Sequence, residues 1–153
     1  MRRSSRPRAT IYEMYTPLTP IHIARVERPP TQPDDTLPDS EDPVMVYYAG
    51  EEDPGPCRVA LAYLYMLEDR RAGTPRIRNP ALHVKIISLG LRQLSELRRV
   101  DRFDVAYIIS LSRDNVVNLL KLLGVEASDV EKIACNKQDL EYVTSVRAMR
   151  LRL

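Results

Sequence analysis

Short apolar runs alternate with segments of helical length from Met45 onward, and this alternation constrains the fold more than any other feature. Three runs have the length and composition of buried strands: VMVYYAG, ALHVKIISLG and DVAYIISL. Three longer segments, beginning at Cys57, Ser112 and Lys137, have helical spacing and length. The run EKIAC is either a short fourth strand or part of a helix capped by Ser128. Almost wholly apolar strands between helices predict an α/β domain over residues 45–153, a small doubly wound parallel four-stranded sheet with helices on both faces.

Proline is concentrated before this region. Eight of the 12 prolines lie in residues 1–44, where each fixes φ and removes a backbone donor. The stretch RPPTQPDDTLPDSEDP is also acidic, so residues 1–44 are predicted to be an extended or disordered arm. Within it, ATIYEMYTPLTPIHIARVE is less polar and is an alternative candidate for a strand-like strap packed on the domain. A later biological start, at Met14 or Met45, is a further alternative.

Composition excludes several classes of protein. No apolar run approaches the length that spans a membrane, and no apolar segment follows the N-terminal arginines to make a secretory signal. A net charge of +2 is too balanced to indicate nucleic-acid binding by itself. The two cysteines, Cys57 and Cys135, are predicted to be reduced thiols in a cytoplasmic protein. No cluster has metal-ligand spacing, so neither a metal nor a cofactor is predicted.

The loop between the first apolar run and the first helix has the layout of an anion site. A strand that feeds a helix N-terminus presents unpaired N–H groups and the positive end of the helix dipole. Gly50 and Gly55 allow tight turns, and Arg58 can donate a pair of hydrogen bonds to an oxyanion. Three carboxylates at 51–53 and two prolines in the same loop oppose this reading. The alternative is a proline-capped helix start with Arg58 in a salt bridge.

Three collinear segments carry a family resemblance over about residues 44–135. YYAG…CRVALAYLYML resembles the active-site segment of low-molecular-weight protein tyrosine phosphatases and the related arsenate reductases, in which a strand runs into C-x5-R and a helix. LHVKIISLGL resembles the second strand of that family, with Ser88–Gly90 at its closing turn. The segment from Arg92 to Leu122 resembles the family's Arg-Gln segment and the strand and helix after it, with matches at Arg92, Gln93, Phe103, Asp104 and Asn115.

The catalytic groups implied by this resemblance are displaced or missing. Arg58 matches the phosphate-binding arginine, but the residue six positions earlier, where the family has its nucleophile, is Glu52. Cys57 matches the auxiliary cysteine and is the alternative nucleophile, since a thiolate is favoured at a helix start. The family's late Asp-Pro general acid is absent, and Asp139 is the substitute unless it serves as a helix N-cap.

Three hypotheses about function follow. The first is a catalytically inactive phosphatase-like domain that binds an oxyanion or a protein partner near the 50–58 loop. The second is an active phosphomonoesterase or arsenate reductase that uses Cys57. The third is an interaction protein associated with nucleic acid through the arginines of its N-terminal arm and its last helix.

Overall fold

Nine helices and strands are found in the described part of the chain. The computed structural model describes residues 8–15, 19–30, 40–73, 77–91, 94–97 and 103–151. The elements, in chain order, are β1 (Arg8–Met14), β2 (Ile21–Glu27), β3 (Val44–Tyr48), α1 (Pro56–Arg71), α2 (Pro80–Leu89), β4 (Val105–Ser110), α3 (Arg113–Leu123), β5 (Glu126–Ile133) and α4 (Lys137–Leu151). Single 3₁₀ turns lie at Gly50–Glu52 and Leu94–Glu96.

The five strands form one mixed sheet in the order β3-β4-β2-β1-β5. Only β1 and β5 run parallel; the pairs β3–β4, β4–β2 and β2–β1 are antiparallel. The α/β class is therefore confirmed, but the predicted four-stranded parallel sheet is wrong. The physical reason is that β3 and β4 are joined through two successive helices without an intervening strand, and β4 returns beside β3 in the opposite direction.

The second predicted strand, ALHVKIISLG, is the helix α2. Asn79 caps its N-terminus by accepting hydrogen bonds from the N–H groups of Ala81 and Leu82. Pro80 occupies the first turn, and Gly90 ends the helix in the left-handed region at φ 70°. The segment is apolar throughout because five of its side chains between positions 83 and 88 are buried, so its pattern hides the helical period.

The two N-terminal strands lie inside the sheet, so the prediction of an arm outside the domain does not hold for them. Residues 8–14 and 21–27 form a hairpin whose β2 pairs with β4 and whose β1 pairs with β5. The segment is extended, but its backbone is hydrogen bonded on both sides. Residues 1–7 and 31–39, which carry six of the 13 charged side chains of the predicted arm, lie outside the described residues.

The core has two layers, one on each face of the sheet. On one face α1 and α2 pack against side chains that include Ile23, Tyr48 and Ile109. On the other face α3 contributes Val116, Leu119 and Leu120 to a second apolar cluster. All residues of β3 and β4 are buried, as expected for strands covered on both faces. Among the described residues, no helix is long and apolar enough to cross a membrane.

The helix and strand segments predicted after residue 100 are confirmed. DVAYIISL contains β4, the segment after Ser112 is α3, and Gly124 ends that helix in the left-handed region at φ 71°. Of the two alternatives for EKIAC, the strand is correct, because it forms the end of β5 beside β1. The last predicted helix is α4.

Candidate functional site

The 50–58 loop turns tightly between β3 and α1. The N–H of Glu52 donates to the carbonyl of Ala49 at 2.9 Å, which closes the 3₁₀ turn. Gly55 is the N-cap residue of α1, with φ 86° and ψ 158°, a backbone conformation that is nearly exclusive to glycine. The predicted order of strand, turn and helix N-terminus is therefore present, and Gly55 is the residue whose conformation permits it.

Each predicted anion-binding group is bonded to a carboxylate of the protein itself. The Gly50 N–H donates to Asp104 Oδ2 at 2.9 Å, and the Gly55 N–H donates to Asp53 Oδ1 at 3.0 Å. Arg58 Nε donates to Asp139 Oδ1 at 2.9 Å. The structure does not bring the three groups onto one pocket; it distributes them over three different aspartates.

Asp53 is the most heavily bonded of these carboxylates, and its partners come from the centre of the sheet. Arg25 donates to Asp53 Oδ2 through Nε at 3.1 Å and Nη2 at 2.8 Å, while the Tyr107 hydroxyl and the Gly55 N–H donate to Oδ1. The Asp53 side chain is only 15% exposed. Asp53 thus accepts, as an internal anion, the Gly55 N–H that was predicted to bind a phosphate.

The electrostatics of this cluster follow from burial and hydrogen bonding. Burial alone would raise the pKa of Asp53, but the hydrogen bonds from Tyr107, Gly55 and Arg25, with the charge of Arg25, hold it below its ordinary value. Burial, followed by the bond to Asp53, raises the pKa of Tyr107. Both shifts favour a carboxylate beside a neutral phenol, so the cluster is built for stability and not for proton transfer near neutral pH.

Arg25 and Tyr107 were not identified from the sequence. They are cross-strand partners on β2 and β4, which places both side chains on the same face of the sheet. The available signal was a lone arginine in the apolar segment IHIARV, since a charge in a central strand needs a partner. The misassignment of residues 1–44 as an arm concealed it.

Cys57, Arg58 and Asp139 come together at a corner between α1 and α4. Cys57 forms a disulfide with Cys135, with Cα atoms 5.4 Å apart, so the prediction of two reduced thiols is wrong. The guanidinium carbon of Arg58 lies 3.9 Å from the centre of the Tyr142 ring, in addition to its ion pair with Asp139. The salt-bridge alternative predicted for Arg58 is the arrangement observed.

The contacts at this corner determine which reactions Cys57 and Asp139 can take part in. In a disulfide, Cys57 carries no thiolate and cannot attack phosphorus. Asp139 does not cap α4; Asn136 does, because its Oδ1 accepts the Asp139 N–H at 2.8 Å. The Asp139 carboxylate is instead committed to Arg58, which leaves it as an ion-pair partner in this structure.

The other segments of the family resemblance are scattered. Ser88 lies in α2, where its Oγ is 2.6 Å from the Tyr48 hydroxyl. Phe103 and Asp104 directly precede β4, and Asn115 Nδ2 donates to Asp42 Oδ1 at 3.3 Å beyond the other end of that strand. Arg92 and Gln93 lie outside the described residues.

Lys85 forms a further polar feature close to this segment. Its Nζ lies 4.7 Å from the centre of the Phe103 ring and 5.7 Å from that of Tyr48. Burial lowers the pKa of Lys85, and the nearby charge of Glu52 partly offsets this effect. The ammonium group therefore lies against two aromatic rings at the end of the sheet where β3 leads into the loop.

Among the described residues, exposed carboxylates outnumber exposed cations at this end of the sheet. The backbone register aligns Tyr48, Val105, Glu27, Arg8 and Glu126 across the five strands. Four exposed acidic residues lie near this row: Glu27, Asp104 and Glu126 on or next to it, and Glu51 in the 3₁₀ turn after β3. We call these four residues the acidic end; among the described residues, Arg8 and Arg28 are the exposed cations on or next to the same row.

Within the described ranges, no group of three or more histidine, cysteine, aspartate or glutamate side chains is placed to hold a metal ion. Comparisons of the chain with protein-family models, with curated proteins and with solved structures give no match.

Proposed function

We propose that the chain is a non-catalytic binding domain whose 50–58 loop region, together with the acidic end, contacts a basic segment of a protein partner. One observation carries the proposal: the donors expected to hold a phosphate are occupied by Asp53, Asp104 and Asp139, while carboxylates remain exposed around the same loop. This is the protein-partner alternative of the first hypothesis drawn from the sequence, without a phosphatase reaction.

Charge selects the chemical class of partner. A surface with an excess of carboxylates attracts lysine and arginine side chains and repels the phosphates of a nucleic acid. Glu27 shows that the surface accepts a guanidinium, because its Oε1 already receives Arg25 Nη1 at 2.8 Å while the Glu27 side chain stays 68% exposed. Binding of this kind is weakened by salt, because the groups involved are exposed.

The test measures binding of a short fluorescent peptide rich in lysine and arginine, beside a peptide of the same length rich in glutamate. The wild-type chain is expected to bind only the basic peptide, with affinity that falls as salt is raised. Glu51→Lys should weaken this binding by about tenfold, because it replaces an attraction by a repulsion. Asp114→Lys makes the same charge change in the first turn of α3, beyond the other end of β4, and serves as the control. Equal binding of both peptides, or equal loss in both variants, contradicts the proposal.

A second candidate is oxyanion binding at Arg58. Its Nε is bonded to Asp139, its side chain is 32% exposed, and its terminal guanidinium nitrogens make no hydrogen bond among the described residues. Those two nitrogens have the geometry to receive phosphate or vanadate. Phosphate should then raise the melting temperature of the wild-type chain and leave that of Arg58→Gln unchanged. A rise in neither protein at millimolar phosphate removes this candidate.

Catalysis by Cys57 requires that the disulfide first be opened. Hydrolysis of para-nitrophenyl phosphate, measured with and without a dithiol reductant, tests it directly. Activity that appears only after reduction and disappears in Cys57→Ser would establish a thiol-dependent phosphatase in place of the binding domain. Absence of activity in the reduced wild-type chain supports the non-catalytic proposal.

A further inference from the structure

The disulfide connects α1 to the C-terminal part of the fold. Cys57 is the second residue of α1, and Cys135 lies in the short link between β5 and α4, 78 positions later in the sequence. Both residues are partly exposed, unlike the fully buried side chains of the adjacent core. The disulfide therefore lies at the edge of the core, with Cys135 Sγ 3.0 Å from Sδ of the buried Met14.

We propose that Cys57–Cys135 is a site of reversible thiol–disulfide exchange with a dithiol, and that opening it releases α4 from α1. The oxidised pair then holds the C-terminal helix α4 against α1, and the reduced pair lets it detach. This inference does not depend on the proposed binding function, because it uses none of the four acidic-end residues.

The position of Cys57 favours exchange because it makes a good leaving group. The N–H groups in the first turn of a helix and the helix dipole stabilise a thiolate placed there. The N-cap residue of α1 is Gly55, which has no side chain, so no capping side chain accepts those first-turn N–H groups. Arg58 follows Cys57 in the same turn, and its charge is paired with Asp139.

A dithiol reductant supplies both electrons that the exchange requires. One thiolate of the reductant attacks Cys135 Sγ, the Cys57–Cys135 bond breaks, and its electron pair stays on Cys57 as a thiolate. The second thiol of the reductant, as thiolate, then attacks the mixed disulfide and displaces Cys135. The protein gains two electrons and ends with two thiols, while the reductant is oxidised to a disulfide.

Among the described residues, partly exposed contacts would hold α4 after reduction, and Tyr142 also packs against the apolar core. Arg58 bonds Asp139 and lies over the Tyr142 ring, and the Tyr65 hydroxyl is 3.4 Å from Thr144 Oγ1. None of the α4 side chains that the structure describes is buried. A partly exposed ion pair contributes little to stability, so the disulfide is the strongest restraint among the described contacts that hold α4 to α1.

Release of α4 uncovers one face of α1. Arg58 and Tyr65, which contact α4, are seven positions apart and therefore lie on the same face of α1. Leu61 lies between them on that face and is partly buried. The reduced chain should expose this apolar strip, and the oxidised chain should cover it.

The experiment compares hydrogen exchange in the full-length oxidised chain before and after dithiothreitol under native conditions, with alkylation and mass spectrometry to count thiols. Two thiols should appear without denaturant, with Cys57 alkylated faster than Cys135. Amide exchange in α4 should then rise at least about tenfold, while exchange in β4 stays unchanged. Arg58→Gln keeps the disulfide and should lower the alkylation rate of Cys57 in the reduced chain.

A double variant, Cys57→Ser with Cys135→Ser, provides an independent measurement. It should show fast α4 exchange with or without dithiothreitol. If it fails to fold, the reduced wild-type chain alone decides the question. Three results overturn the proposal: thiols that appear only in denaturant, α4 exchange that is the same in both redox states, or a rise in exchange that includes β4 and so reports unfolding of the whole domain.

Discussion

The ion pair between Asp53 and Arg25 is expected to be the largest single polar contribution to the stability of the loop. Asp53→Asn keeps the shape of the side chain but removes its charge. If the amide nitrogen takes the place of Oδ2, it faces the two Arg25 N–H donors now at 3.1 and 2.8 Å; in the other orientation it faces the Gly55 N–H. The variant therefore cannot satisfy all its neighbours in either orientation.

The expected loss of unfolding free energy follows from the exposure of the Asp53 and Arg25 side chains. Hydrogen bonds to a charged group contribute about 1.5–3 kcal/mol each, and the pair is mostly shielded, with side chains 15% and 26% exposed. Because Arg25 keeps its second partner, Glu27, we expect Asp53→Asn to lower the free energy of unfolding by about 3 kcal/mol. For a chain of this length that is a fall in melting temperature of about 9 °C.

Urea and thermal unfolding of matched variants provide the assay. Glu27→Gln removes the other carboxylate on Arg25, which is 68% exposed, and should cost less than about 1 kcal/mol. Tyr107→Phe removes one hydroxyl donor from Asp53 and should cost about 1–2 kcal/mol. If Asp53→Asn costs no more than Glu27→Gln, the view of Asp53 as an internal anion that organises the loop is refuted.

Three further predictions concern acid, backbone and core. Because the folded-state pKa of Asp53 lies below its unfolded value, its contribution to stability is complete above about pH 4 and is lost as the pH falls through the folded-state value; urea midpoints of wild type and Asp53→Asn should converge in that range. Gly55→Ala should cost about 1–3 kcal/mol of unfolding free energy, and Gly124→Ala, at an ordinary left-handed helix end, about 1 kcal/mol. No neighbouring atom meets an added Cβ at either site, so backbone strain alone causes the loss. Equal thermal shifts in the two variants would contradict the assignment of strain to Gly55. Ile108→Ala and Ile109→Ala should each cost about 2–5 kcal/mol in denaturant titrations, because both faces of β4 are buried; a mild effect of either one would mean that its face is not packed.

Local signals in the sequence were sufficient for most elements after residue 100. The periodic apolar positions of α3 and its closing glycine at 124 predicted that helix, and the continuous apolar run predicted β4. The same method failed at α2, although Asn79, Pro80 and Gly90 are the residues that begin and end a helix. There the uniform apolar composition of a buried helix outweighed its end signals.

The sheet order and the site depended on long-range contacts that no local pattern records. Proline content hid β1 and β2, although both carry the alternation of half-buried strands, because their prolines lie beside the strands and not within them. The loop itself was predicted, with Gly55 and Arg58 in the expected places. Gly55 donates to Asp53 and Arg58 donates to Asp139, and Asp139 is 81 positions from Arg58 in the sequence.

The position of the N-terminal hairpin has a consequence for synthesis on the ribosome. β1 and β2 emerge first, yet their outer neighbours are β5 and β4, which begin at Glu126 and Val105. The β2 flank of the hairpin thus stays open until β4 has been translated, and the β1 flank stays open until β5 has followed. Any nascent fragment ending before β4 contains no completed sheet, and a polypeptide initiated at Met45 would lack the two strands that bridge β4 to β5.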